Sequence, residues 1–295
     1  MSTLYVVATP IGNLKDLSPR AEETLRKVSL IAAEDTRVTL KLLNAFDIHT
    51  PLISSHRHNE SGMAPQIVDR MLREGIDAAL VTDAGTPCIS DPGWALVDRC
   101  REAGIPVVAI PGPCAAAAAL AVSGFEVTEF AFYGFLPREK RPLEEKLRAI
   151  GQAGLCAVIY ESPFRVKALI EAVRDTLPEA GLCLCAELTK LHERSYRGAP
   201  GEVLAMLEAD GSSSKGEYCL VMDVSRVPAP EKEEPVSSPE ALIFEQLLKG
   251  ASLKEARLEA QTRFGKNRAY AASLRVKNYL DEQACPGPDG GERIR

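Results

Sequence analysis

The chain of 295 residues predicts an α/β protein, with two α/β domains followed by a small helical module. Three observations carry that expectation. Short apolar runs of strand length alternate with helical patterns over residues 1–110, which implies a mainly parallel sheet with helices on its faces. The alternation resumes at about Glu129. Past a polar, Pro-rich stretch at 228–235, only helical periodicity remains. A hydrophobic content of 45% is enough to bury cores of this size.

Leu4–Thr9 reads as the first strand, followed by the loop Pro10–Asp16. Ser18 is a good N-cap and Pro19 suits the first helical position, so a helix is predicted to about Lys27. Leu30–Ala33 is a second strand, and Asp35 can cap the helix that carries Leu40, Leu42 and Leu43. After Leu52–Ser54 comes the loop 55–60, then a helix from about Ser61 to Glu74 closed by Gly75. Ala78–Val81 is a buried strand that breaks into Asp83, Gly85, Thr86 and Pro87. A helix near Trp94–Ala103 and a strand Pro106–Ile110 follow. Pro111–Pro113 then leads into the Ala-rich run Cys114–Val122, whose small side chains allow another element to come close.

The second unit has predicted strands at Phe130–Tyr133, Leu155–Tyr160, Leu182–Ala186 and Tyr218–Val224. Its helices are predicted near Pro142–Ala149, Arg165–Asp175 and Gly201–Leu207. The expected borders are 1–117 and 118–226 for the two domains, and 227–238 for a linker. A basic helical module at 239–281, broken near Gly250 and Gly265, and a disordered tail at 282–295 complete the chain.

Polar residues gather where the first domain's strands end, at Pro10–Asp16, Glu34–Arg37, Ser54–Glu60 and Asp83–Pro92. In a parallel sheet those ends share one edge, where ligands bind. Gly85 lets a ligand approach the backbone. No Gly-x-Gly-x-x-Gly or P-loop pattern occurs. His56 and His58 could chelate a metal, but no third ligand stands at a recognisable spacing, and none is expected. The eight cysteines form no Cys-x-x-Cys pair and fit buried thiols in a reducing cytoplasm. No apolar run is long enough to span a membrane, and the N-terminus does not read as a secretory signal. A net charge of −6 argues against coating nucleic acid nonspecifically. Locally, Lys249–Lys277 holds eight basic residues against Glu255 and Glu259, which suggests either a solvated face or a phosphate-binding one.

The pieces Val7–Asp16, Ala33–Arg37, Asp83–Pro87, Ile89–Gly93 and Ile110–Pro113 resemble the tetrapyrrole methylase superfamily. More narrowly, they are similar to the ribosomal small subunit methyltransferase I family. Gly134–Pro137, Tyr160–Pro163, Glu187–Lys190 and Lys215–Glu217 continue the match, which runs from about residue 4 to 224. The sequence departs from the family at Arg57, where Glu is usual, at Phe164 in place of His, and at Cys114 in place of Ser.

The resemblance implies two α/β domains of the tetrapyrrole methylase type with the cofactor in the cleft between them. It implies an S-adenosylmethionine-dependent enzyme that methylates the ribose 2′-oxygen of a cytidine in the decoding region of 16S ribosomal RNA, acting within the small ribosomal subunit as a cytoplasmic homodimer. Implied cofactor contacts are Pro10, Asp83, Ala84, Gly85, Ile89, Ala115, Ala116 and Leu188. Asn13, Lys15, Arg37 and His56 fall on the substrate side. Lys190, His58 and Glu34 are the candidates for the catalytic proton acceptor, and alignment alone could carry much of the rate. The alternatives are a noncatalytic RNA-binding assembly factor, or a superfamily methylase acting on a tetrapyrrole or a diphthamide precursor.

Overall fold

Two buried four-residue strands, β2 (Leu30–Ala33) and β4 (Ala78–Val81), form the middle of the first sheet in the computed structural model. The structure describes residues 2–211, 216–225, 227 and 238–284. With β1 (Leu4–Val7), β3 (Leu52–Ser54) and β5 (Val107–Ile110), these strands make a wholly parallel sheet ordered β3-β2-β4-β1-β5. The period of two sorts side chains between faces. Leu30 and Ala32 join one core with Ile67, Met71 and Leu96, while Ile31 and Ala33 join another with Leu25 and Leu43.

The predicted caps hold. Helix α1 (Pro19–Lys27) starts where the Ser18 hydroxyl accepts from the Ala21 N–H at 3.1 Å, and α2 (Thr36–Ala45) where Asp35 accepts from the Arg37 N–H at 2.8 Å. Helix α3 (Glu60–Glu74) closes on Gly75 at φ 65°, and α4 (Trp94–Glu102) leads to β5.

The second sheet is mixed. It takes the order β6-β7-β10-β8-β9 from β6 (Phe130–Phe135), β7 (Cys156–Glu161), β8 (Gly181–Ala186), β9 (Arg194–Gly198) and β10 (Tyr218–Asp223). Only β6 and β7 run parallel. The edge strand β9 was not predicted, because Arg194-Ser-Tyr-Arg-Gly198 offers one buried apolar side chain, Tyr196. Helices α6 (Lys140–Ala153), α7 (Val166–Thr176) and α8 (Pro200–Asp210) cover one face, over Ile159, Leu184 and Leu220. Helix α6 starts earlier and ends later than predicted, closing on Gly154 at φ 69°.

The other face carries Cys156, Cys183, Cys185 and Cys219, packed beneath α5 (Ala115–Val122). The Ala-rich helix thus leaves the first sheet and lies on the second. The expected domain border at residue 117 falls inside it. The described residues fall into two compact units, one up to residue 227 and one from 238 to 284.

The second unit contains α9 (Pro239–Leu248), α10 (Leu253–Phe264) and α11 (Lys266–Ala284), closed over Leu242, Ile243, Ala256, Ala260 and Val276. Gly250 and Gly265 part these helices, at φ 90° and 85°, where the sequence pattern breaks. The whole Pro-rich stretch 228–235 lies outside the described residues, as does the tail expected at 282–295 except for 282–284, which continue α11 instead.

Candidate active site

Loops at the C-terminal edge of the parallel sheet are joined by short backbone bonds. Thr9 and Gly85 exchange N–H···O bonds of 2.8 and 3.0 Å, tying the loop after β1 to the loop after β4. Gly85 sits at φ 89°, a conformation that side chains with a Cβ rarely adopt. The Thr86 hydroxyl donates to the Pro113 carbonyl at 3.0 Å, which brings in the loop after β5. The Asp83 carboxylate accepts from the Asp35 N–H at 3.0 Å, which brings in the loop after β2. Four separate sequence motifs therefore become one wall.

That wall and the ends of β6, β7, β8 and β10 enclose a cavity of about 460 Å³. Ile11, Ala84, Gly85, Ile89, Ala115 and Leu188 supply apolar lining. Glu34, Asp83, Asp91, Glu161 and Glu217 supply carboxylates, and no Lys, Arg or His lines it among the described residues. A cavity with mostly apolar walls and a few converging polar groups suits a small organic ligand.

Six expected cofactor contacts, Asp83, Ala84, Gly85, Ile89, Ala115 and Leu188, line this cavity. Pro10 and Ala116 do not. Ile11 stands in place of Pro10, and the Ala116 N–H is taken by the Tyr160 hydroxyl at 3.1 Å. That bond fixes the start of α5, where Cys114 makes no side-chain cap bond. Burial raises the Tyr160 phenol above its ordinary range, so it stays neutral. Thr82, Asp91, Tyr160, Glu161 and Glu217 were missed as site residues. Four of them lie in motifs that the resemblance had already marked, Ile89–Gly93, Tyr160-Glu-Ser-Pro163 and Lys215-Gly-Glu217.

The candidate catalytic groups separate. Glu34 lines the cavity and its Oε2 accepts from the Thr82 hydroxyl at 2.6 Å. His58 does not line it. It lies in a turn at 57–59, its ring centroid 6.0 Å from that of His56. Lys190 stands outside the cavity wall, with its ammonium held by Glu187 at 2.9 Å and Glu217 at 3.0 Å. Partial burial disfavours its charge, but the two carboxylates outweigh that and raise its pKa. It is a fixed cation, which fits a proton acceptor poorly.

Backbone strain marks the same turn. Glu187 and Thr189 hold φ of 54° and 67°, rare for residues with a Cβ. The Glu187 carboxylate accepts from both the Lys190 ammonium and the Glu217 N–H, each at 2.9 Å. The stem of Lys190 crosses over Gly12, where an added Cβ would come within 2.5 Å of Cγ.

The remaining substrate-side residues are placed less tightly. The Asn13 side chain accepts from the Lys15 N–H at 3.1 Å and caps a short turn. Arg37 forms a two-pronged pair with Asp35 at 3.0 and 2.6 Å, which holds the Asp35 carboxyl down at about 2. Arg37 is otherwise exposed, with its guanidinium at the same sheet edge.

Residues 3–204 match the family model for Tetrapyrrole (Corrin/Porphyrin) Methylases. Among curated proteins, the Ribosomal RNA small subunit methyltransferase I of Synechocystis is 42% identical over 283 residues, covering 94% of this chain and 99% of that protein. The protein of the same name from Bacillus subtilis is 39% identical, covering 87% of this chain and 88% of its own. Among solved structures, a diphthine synthase aligns with a TM-score of 0.58 at 12% identity, over 75% of this chain and 90% of that one. The methyltransferase CobJ aligns with a TM-score of 0.54 at 17% identity, over 75% and 94%. At such identities these two show the fold alone. Motif order, fold and extended identity agree, and the chain belongs to the ribosomal RNA small subunit methyltransferase I family of tetrapyrrole methylases.

Proposed function

We propose that this enzyme is an S-adenosylmethionine-dependent ribosomal RNA methyltransferase that methylates the ribose 2′-oxygen of a cytidine in the decoding region of 16S ribosomal RNA. The observation that carries the cofactor reading is the cavity at the sheet edge, about 460 Å³ in volume, with apolar walls and carboxylates but no cationic lining among the described residues. Such a chamber suits a ligand with an apolar body and positive charge. Asp83, Ala84, Gly85, Ile89, Ala115 and Leu188 would hold it, with Ile11 in the place first given to Pro10. When bound, S-adenosylmethionine supplies a methyl group on a sulfonium and leaves as a neutral thioether.

The chain's own residues then align the acceptor and manage charge. A ribose hydroxyl loses a proton as it takes a methyl group. Glu34 is the one of the three candidate acceptors that stands in the cavity wall. The Lys190 ammonium, at the rim beside Glu217, suits a phosphate or ribose oxygen of the RNA. Lys15, Arg37, His56 and His58 extend the substrate side beyond the cavity. RNA phosphates are kept out of the carboxylate-lined chamber itself and stay on this basic margin.

The same reading places the enzyme in the cytoplasm as a homodimer acting on the small ribosomal subunit. No helix among the described residues is long and apolar enough to cross a membrane.

The test uses small subunits and free 16S ribosomal RNA from cells lacking the gene, incubated with enzyme and labelled cofactor. Label at one cytidine ribose in the decoding region is expected, with subunits preferred over free RNA. Label on a base, or on no RNA at all, would overturn the proposed reaction.

A further inference from the structure

Among the described residues, five carboxylates line the cavity, and three are already engaged by cations or backbone donors. Glu217 pairs with Lys190 at 3.0 Å, and Glu161 pairs with Arg165 at 3.2 Å. Asp83 accepts from the Asp35 N–H at 3.0 Å, with Arg37 acting on it from nearby. Glu34 and Asp91 have no ion pair among the described residues. They are linked by Thr82, only 2% exposed, whose hydroxyl donates to Glu34 at 2.6 Å and also lies beside Asp91. One hydroxyl carries one proton, so it can satisfy only one of two carboxylates at a time. Arg57, whose charge acts on Asp91, donates instead to the Ser90 carbonyl at 2.9 Å. Neither carboxylate is thus neutralised by a cation among the described residues, and the pair faces a cavity whose described lining holds none.

We propose that Glu34 and Asp91, bridged by Thr82, are the specificity-determining group that favours a positively charged methyl donor over its spent, neutral thioether. This rests on the reading of the cavity as the S-adenosylmethionine site and adds the property that the site recognises by charge. S-adenosylmethionine and S-adenosylhomocysteine share their nucleoside and amino-acid parts, so shape and hydrogen bonding bind both. They differ by the S-methyl group and the sulfonium charge that it confers, and a half-buried carboxylate pair is where that charge counts. A chamber of this kind would also release its product, because the charge that holds the donor vanishes on transfer. The ribose proton taken up by Glu34 returns the pair to a satisfied state.

Calorimetry on the full chain tests this with three probes: S-adenosylmethionine, S-adenosylhomocysteine and sinefungin, whose amine carries charge near the sulfonium position. The wild-type protein is expected to bind both charged ligands at least about tenfold more tightly than the thioether, a difference of about 1.4 kcal/mol. In Asp91→Asn, and more fully in Glu34→Gln with Asp91→Asn, that ratio should fall towards one while affinity for the thioether stays within about threefold of wild type. Thermal melting establishes that each variant is folded, and Thr82→Val provides a second route by breaking the bridge with both charges retained. A wild-type ratio near one, or a ratio that survives in the double variant, overturns the proposal. Equal loss of all three ligands in folded variants also overturns it, by making the pair structural. If no probe binds the wild-type protein, the cofactor reading itself falls.

Discussion

Gly12 has no side chain where the stem of Lys190 crosses it, and this contact explains a glycine that no turn requires. A Cβ at Gly12 would meet Lys190 Cγ at 2.5 Å and Cε at 2.9 Å. Gly12→Ala should therefore push the ammonium off Glu187 and Glu217 while leaving the cores untouched. We expect methylation to drop by about tenfold or more, with little change in melting temperature. A variant that melts much earlier, or one that keeps full activity, would show that the contact is only packing. The charge state of Lys190 gives a second expectation. Its pKa is raised in the fold, so the stabilisation from its carboxylates is present below the unfolded value and is lost only as pH rises through the folded one. Across about pH 6 to 9 the residue stays charged. Lys190→Arg should then keep more activity than Lys190→Gln, and neither should remove a limb of the pH–rate profile in that range. Loss of such a limb in either variant would restore Lys190 as a titrating base.

At the scale of elements, the start of α4 depends on a residue from another helix. Gly93 donates its N–H to Glu60 at 2.7 Å, and Glu60, at the start of α3, is only 5% exposed. The carboxylate satisfies a free donor at a helix N-terminus and holds the loop that carries Asp91. Glu60→Ala should cost about 1–3 kcal/mol in urea denaturation, since it leaves that donor buried and unpaired. A loss within error would mean that water replaces the carboxylate.

Elements with a local signal were legible in the sequence. Ser18, Asp35 and Gly75 mark their helix ends, and the apolar runs of β2 and β4 mark buried strands. The edge strand β9 was hidden because its residues are polar and its pairing partner is set by tertiary structure. The same limit applied to the site. Gly85 and Asp83 stand out in a Gly-Asp-Pro loop, and the resemblance gave their neighbours. The Glu34–Thr82–Asp91 arrangement needs the packing of β2 beside β4, which no spacing reveals. His58 and Lys190 were plausible acceptors by residue type, but only their positions off the cavity wall separate them from Glu34.

On the scale of the whole molecule, the family model ends at residue 204, and none of the described residues of the three-helix unit, 238–284, lines the cavity. Its local excess of basic residues is smaller in the fold than in the sequence. Lys249 pairs with Glu245, and Arg275 pairs with Glu240, both acids lying before the basic stretch. Lys254, Arg263, Lys266, Arg268 and Lys277 keep no ion pair among the described residues, and Arg257 lies over the Tyr270 ring at 5.7 Å. Charges left in this state suit contact with RNA phosphates, each of which contributes to the salt dependence of binding. A chain ending at Ala229 should keep its affinity for S-adenosylmethionine, because every described residue that lines the cavity belongs to the first unit. Its affinity for small subunits should fall most at low salt. The slope of log affinity against log salt should flatten by roughly two to three, in line with about 0.7 per phosphate neutralised on single-stranded RNA as its counterions are released. If the unit instead stabilises the fold or the dimer, truncation should lower the melting temperature and leave the salt slope unchanged. In that outcome the unpaired cations are a solvated surface, and RNA docking must be sought on the margin formed by Lys15, Arg37 and Lys190.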